Sequence, residues 1–70
     1  MIEPLEIKKL QHNYVAVGVP HEIIQGKLFF YFGTLKNIDE NEIKLEINNG
    51  YKIIPIDQIM EIHKENQNDR

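Results

Sequence analysis

Few side chains of this sequence have the types and spacing needed for catalysis or metal binding. There are three histidines, His12, His21 and His63, and no serine or cysteine. No two histidines stand at the i, i+4 spacing with which one helix presents a pair of metal ligands. Nucleophilic catalysis needs a nucleophile beside a base, and the single threonine, Thr34, follows a glycine in a predicted strand. We therefore expect no catalytic residue, no metal site and no cofactor, and a protein that is not an enzyme.

Acidic side chains cluster in one polar segment, where Asp39, Glu40 and Glu42 follow each other closely. Carboxylates in such a group could bind a cation. A solvated turn explains the same composition, because Asp and Asn favour turns, and this is our interpretation. The four glycines are isolated from one another, so no glycine-rich phosphate loop is present.

The aromatic run Phe29-Phe30-Tyr31-Phe32 could stack nucleic-acid bases. Strands that stack bases need cations nearby, and the nearest ones here are Lys27 and Lys36. The formal net charge is -3, which disfavours a surface that binds phosphates. We interpret the run as core and protein interface.

Length and composition predict one small domain. A chain of 70 residues buries a modest core, and without cysteine it has no disulfide to stabilise it. Oligomerisation is the remaining means, so we expect a homo-oligomer. There is no apolar run of membrane-spanning length and no signal-peptide pattern at the start. These features predict a cytoplasmic protein without membrane contact, with one domain over residues 1–63 and a disordered polar tail over residues 64–70.

The elements that position these side chains are mostly strands. Residues 1–13 favour a short helix, since Pro4 suits a first helical turn; an edge strand is the alternative. Apolar and polar residues then alternate with period two, which is typical of strands. The predicted strands are Tyr14–Val19, Lys27–Asn37, Ile43–Ile47, a segment from Tyr51 to about Ile56, and Ile59–Ile62.

Glycine and proline mark the ends and bends of these strands. Asn48-Asn49-Gly50 predicts a hairpin turn with positive φ at its central residues. Gly33, inside the longest strand, predicts a bend or a close approach of two backbones. Pro20 and Pro55 should end regular pairing, and Asp57-Gln58 fits one tight turn.

Several of these residues follow the order of a known motif. Gly33-x-Leu35, Ile38-Asp39 and the alternating Ile43 and Leu45 stand in the order of the first Sm motif. Ile54, Ile59 and Ile62 then surround a one-turn corner. The chain thus resembles the Sm-like family and, more broadly, SH3-like barrels. The resemblance implies a mainly β fold: a small five-stranded antiparallel barrel with a short N-terminal helix.

The positions that contact RNA in Sm-like proteins differ in this chain. Ile43 stands where the family has a base-contacting asparagine. Pro55-Ile56 stands where many members have Arg-Gly, and Asp57-Gln58 does not match the Lys-His pair of the bacterial branch. The resemblance therefore implies a barrel and ring assembly without the usual uridine pocket.

Together these observations predict a non-catalytic binding or assembly module that self-associates through strand edges. The alternative is an RNA-binding Sm-like protein that uses a non-standard surface, and another protein as partner is also compatible with the sequence. The expected interface residues are Phe29, Tyr31, Ile54, Ile56 and Met60. The residues expected to contact RNA in the alternative are Lys36, Asn37, Asp39 and Asn41.

Overall fold

The computed structural model describes residues 2–65 of the chain. A short helix, α1, comes first, and five strands follow. The elements are α1 Pro4–Lys8, β1 Tyr14–Pro20, β2 Leu28–Ile38, β3 Glu42–Ile47, β4 Gly50–Pro55, a one-turn 3₁₀ helix Ile56–Gln58, and β5 Glu61–Lys64. The predicted mainly β fold with five antiparallel strands and a short N-terminal helix is confirmed.

The five strands form one antiparallel sheet in the order β4-β3-β2-β1-β5. Strand β1 therefore pairs on both sides, with Val17 opposite Tyr31 of β2 and opposite Ile62 of β5. Strand β3 likewise lies between β2 and β4, with Ile43 opposite Ile38 and opposite Ile54. Two strands, β4 and β5, each keep one unpaired edge.

One face of the sheet carries the core, as the period-two alternation requires. Its side chains are fully or almost fully buried, and Ile7 of α1 packs into the same cluster. The core consists of Ile7, Val15, Val17, Leu35, Ile43, Leu45, Ile54, Ile56 and Ile59. The helix therefore helps to cover the apolar face that the predicted alternation identified.

The sheet curls without closing. The Nζ atom of Lys52 on β4 lies 5.0 Å from the ring centroid of Tyr31 on β2, although β3 separates these two strands. The 3₁₀ helix leads from the β4 edge toward β5, where the backbone N–H of Met60 donates to the Gly18 carbonyl at 2.8 Å. No pairing joins β4 to β5, so the curled sheet of residues 14–64 stays open between its edges.

Gly33 lies where two backbones approach closely, as predicted. A Cβ atom at this position would lie 2.5 Å from the carbonyl oxygen of Glu46 on β3. Only a residue without a side chain lets β2 and β3 come this near. The register between them shifts between Leu35 and Asn37, so β2 bends just beyond this contact.

Several boundaries differ from the predicted ones. The β3–β4 turn is Asn48-Asn49; of the predicted Asn-Gly pair, Gly50, the first residue of β4, has the positive φ and Asn49 does not. Strand β5 begins at Glu61 rather than at Ile59, since Ile59 caps the 3₁₀ helix with its N–H bonded to Ile56. Lys64 ends β5, and the N–H of Glu65 donates to Tyr14 at 2.8 Å. These two residues of the expected tail thus belong to the sheet, and residues 66–70 lie outside the described part.

Candidate binding surface: two free strand edges and an adjoining groove

The free edge of β4 exposes unpaired backbone groups at alternate residues. The N–H of Ile56 donates to Asn41 at 2.9 Å, which makes Ile56 and Asn41 a hydrogen-bonded pair in the β4–β3 register. Such pairs alternate along an antiparallel ladder, so Ile54 and Lys52 also point their backbone groups at β3. The backbone groups of Tyr51 and Ile53 therefore point away from the sheet.

The free edge of β5 also exposes unpaired backbone groups at alternate residues. Glu65 donates to Tyr14 at 2.8 Å, and these two residues lie opposite each other in the β5–β1 register. By the same alternation, the backbone groups of His63 and Glu61 point toward β1. Ile62 and Lys64 direct their N–H and C=O groups outward. Each edge thus offers two residues for pairing with another strand.

The β4 edge also carries exposed apolar side chains. Tyr51 is 56% exposed and Ile53 is 46% exposed. Natural edge strands are usually protected by charged residues, prolines or bulges. The one lysine of β4, Lys52, turns toward the Tyr31 ring, so its charge does not guard this edge. Pro55 protects only the end of the strand.

A groove of about 350 Å³ adjoins the β4 edge. The connection from β1 to β2 forms one wall, and β4 with the 3₁₀ helix forms the other. Its lining residues include Pro20, His21, Ile23, Phe29, Tyr31, Lys52 and Ile53. The lining is mixed, since apolar and aromatic side chains lie beside the ammonium of Lys52 and the carboxylate of Glu22.

Aromatic rings contact one another edge-to-face along this groove. The Phe29 ring meets the Tyr31 ring edge-on, with centroids 4.9 Å apart. His21 meets Phe29 in the same way at 6.2 Å. Edge-to-face contacts are the favoured geometry of aromatic pairs. Together with Lys52 over the Tyr31 ring, these contacts link the β1–β2 connection, β2 and β4.

Three of the five predicted interface residues are accessible. Phe29 and Met60 are exposed, and Tyr31 is half-buried in the groove wall. Ile54 and Ile56 are only 2% and 6% exposed. Their assignment to the interface is corrected, because the curl of the sheet turns this face of β4 into the core of the same chain.

The residues considered for RNA contact lie together around the end of β2, but their polar groups are largely used within the chain. The Lys36 ammonium lies 3.8 Å from the Glu46 carboxylate. Asn37 Oδ1 accepts from the N–H of Ile38. Asp39 Oδ1 accepts from the backbone N–H groups of Asn41 and Glu42, at 2.8 and 2.9 Å. Asp39 therefore orders the turn, as the turn interpretation of this acidic segment predicts.

Sequence reasoning missed the roles of Lys52 and His21. In the sequence Lys52 is one of several scattered cations, and His21 has the features of an ordinary surface histidine. The available signal is that Lys52 shares its face of the predicted strand with Ile54 and Ile56, so its stem can lie along apolar surface. No comparable pattern marks His21, since its contacts depend on how the connection folds.

The described residues contain no metal-ligand cluster and no helix that could span a membrane. No group of three or more histidine and acidic side chains within residues 2–65 is arranged to hold a metal ion. The helix found in this part is α1, and it is far too short to cross a bilayer.

Comparisons with known proteins return no relative from which a function could be transferred. No protein-family model, no curated protein and no solved structure matches this chain. The interpretation of the site therefore depends on its own geometry.

Proposed function

We propose that this chain is a non-catalytic small β-barrel module of the Sm-like or SH3-like kind that self-associates by pairing the free edge of β4 in one copy with β5 of the next. The observation that carries the proposal is the pair of open edges. Each has two residues with outward backbone groups, Tyr51 and Ile53 on β4 and Ile62 and Lys64 on β5. The two edges can complete each other's hydrogen bonds.

The strand arrangement supports the barrel assignment. Strand β1 lies between β2 and β5, and a one-turn helix joins β4 to β5. The curl that brings Lys52 over Tyr31 bends the sheet toward closure. Pairing with a second copy would continue the sheet and cover an edge that closure has left open.

The exposed apolar side chains of the β4 edge support association over a solitary monomer. Tyr51 and Ile53 would lose solvent contact beside a second strand, and burial of apolar area stabilises association. Because β4 and β5 are different surfaces, the contact is head-to-tail. Repetition of a head-to-tail contact gives a ring if the rotation closes and a filament if it does not.

The test is the molar mass of the full chain, measured by light scattering after size exclusion over a range of concentrations. We expect a homo-oligomer. Ile53→Pro removes an outward N–H that β3 does not use, so the variant should fold and fail to associate. Ile53→Val keeps the N–H and is the matched control; it should remain associated.

The second edge is tested in the same way. Lys64→Pro should dissociate the oligomer and Lys64→Gln should not, and circular dichroism should show the β signature in all four variants. A wild-type chain that is monomeric at high concentration would contradict the proposal. So would a folded Ile53→Pro variant that associates as strongly as the wild type.

RNA binding remains the alternative, and the same preparations test it. Binding through phosphates weakens steeply with salt. Retention of short RNA on a filter at low salt, lost at high salt, would favour this alternative. The absence of retention at low salt would remove it.

A further inference from the structure

The imidazole of His21 accepts two hydrogen bonds within the connection between β1 and β2, residues 21–27. Nδ1 of His21 accepts hydrogen bonds from the backbone N–H groups of Ile23 and Ile24, each at 3.1 Å. The N–H of His21 donates to Lys27 at 2.9 Å, and the N–H of Lys27 donates to Ile24 at 3.4 Å. The two imidazole bonds thus close the first turn of the connection.

These two bonds specify the protonation state of the ring. A nitrogen that accepts hydrogen bonds carries no proton, so the neutral ring has its proton on Nε2. When the ring takes up a second proton, Nδ1 becomes a donor. It would then face two backbone N–H donors, and both bonds would be lost.

We propose that His21 is a protonation switch that latches the β1–β2 connection over the groove when neutral and releases it when charged. The two lost bonds are both solvent-exposed, so their loss shifts the equilibrium between closed and open connection by about 5-fold, the lower end of the range for two hydrogen bonds. No other side chain of residues 21–27 forms a hydrogen bond to this backbone, so after release only the backbone bonds of His21 to Lys27 and of Lys27 to Ile24 hold the connection.

Release of the connection would change the groove. His21 packs edge-on against Phe29, and Ile23, which is 86% exposed, lies in the same wall. Movement of this wall exposes the Phe29 and Tyr31 rings further. The switch therefore controls access to the aromatic side of the groove, independently of the strand edges.

The charged and titratable groups around the ring come from three elements. Glu22 belongs to the connection itself, Tyr31 to β2 and Lys52 to β4, and all three line the groove with His21. Lys27 contributes its backbone carbonyl. The test compares the chain at about pH 8 with the chain at about pH 5.

Nitrogen-15 NMR of the full chain at these two pH values tests the proposal. At the higher pH, the ring shifts of His21 should show an unprotonated Nδ1 and a protonated Nε2. The backbone order parameters of residues 22–25 should be lower at the lower pH than at the higher one. Residues of β1 and β3 should keep their values.

Two variants separate the latch from general acid effects. His21→Asn retains a side-chain acceptor that cannot titrate, so its connection should stay ordered at both pH values. His21→Ala should be disordered at both. A wild-type connection equally ordered at both pH values would overturn the proposal, as would a protonated Nδ1 at the higher pH or an acid-released His21→Asn variant.

Discussion

Replacement of Gly33 by alanine should strongly destabilise the fold. The added Cβ would lie 2.5 Å from the Glu46 carbonyl oxygen, with the Ile47 side chain at 3.1 Å. The obstacle at 2.5 Å is backbone, which cannot rotate away as a side chain does. Strands β2 and β3 must therefore separate beside the Thr34–Glu46 pair.

The magnitude follows from the size of this displacement. Cβ contacts shorter than 3.0 Å are essentially never found, so the backbones must move by at least 0.5 Å (3.0 minus 2.5). Overpacking of this kind costs about 1–3 kcal/mol, and a weakened ladder bond adds about 1 kcal/mol. We expect a loss of about 2–4 kcal/mol, which lowers Tm by about 8–30 °C in a domain of this size.

Thermal and urea unfolding followed by circular dichroism measure the effect. Gly18→Ala is the matched comparison, because its Cβ would meet the Phe30 ring at 2.9 Å, and a ring can shift; its loss should be clearly smaller. In an unobstructed strand, Gly→Ala gains stability by about 0.5–1 kcal/mol. A Gly33→Ala variant as stable as the wild type would refute the close approach of β2 and β3.

Two further substitutions test local backbone conformation by the same unfolding measurements. His12 is the one non-glycine residue of the described chain with positive φ, at 74°. His12→Gly should stabilise the fold by about 0.5–1 kcal/mol, because the strain of a left-handed conformation exceeds the added entropy of the unfolded chain. A loss of stability would contradict that reasoning. Asp39→Ala removes two hydrogen bonds to the turn and should cost about 1–2 kcal/mol of stability. Asp39→Asn keeps the oxygen acceptor and should be about as stable as the wild type. Equal losses in the two variants would show that the acceptor does not order the turn.

The strands and their inward faces could be predicted because the signals for them are local. Val15, Val17, Leu35 and Leu45 alternate with polar or small residues, and all four are buried in the core. Gly33 could be identified because a glycine inside an apolar strand typically marks a bend or a close backbone approach. A period of two is sufficient to define which residues share a face.

The accessibility of the expected interface residues could not be predicted equally well, because it depends on how the sheet curls. Alternation places Ile54 and Ile56 on one face of β4 but does not show whether that face meets a partner or the same chain. The curl that buries them also brings Lys52 over Tyr31, two residues of non-adjacent strands. Contacts made across a curved sheet leave no signal in the spacing of residues along one strand.

The position of Pro55 limits how another strand can pair with this domain. Like Tyr51 and Ile53, Pro55 belongs to the residues of β4 whose backbone groups point away from β3. Its missing N–H therefore costs no hydrogen bond to β3. Regular pairing along this edge is therefore confined to Tyr51 and Ile53. Strand β5 has two outward residues as well, Ile62 and Lys64, so its edge matches the available edge of β4 in length. A longer partner strand would extend past Pro55 without a donor to meet it, and this limit favours the proposed pairing with a second copy over pairing with a long foreign strand.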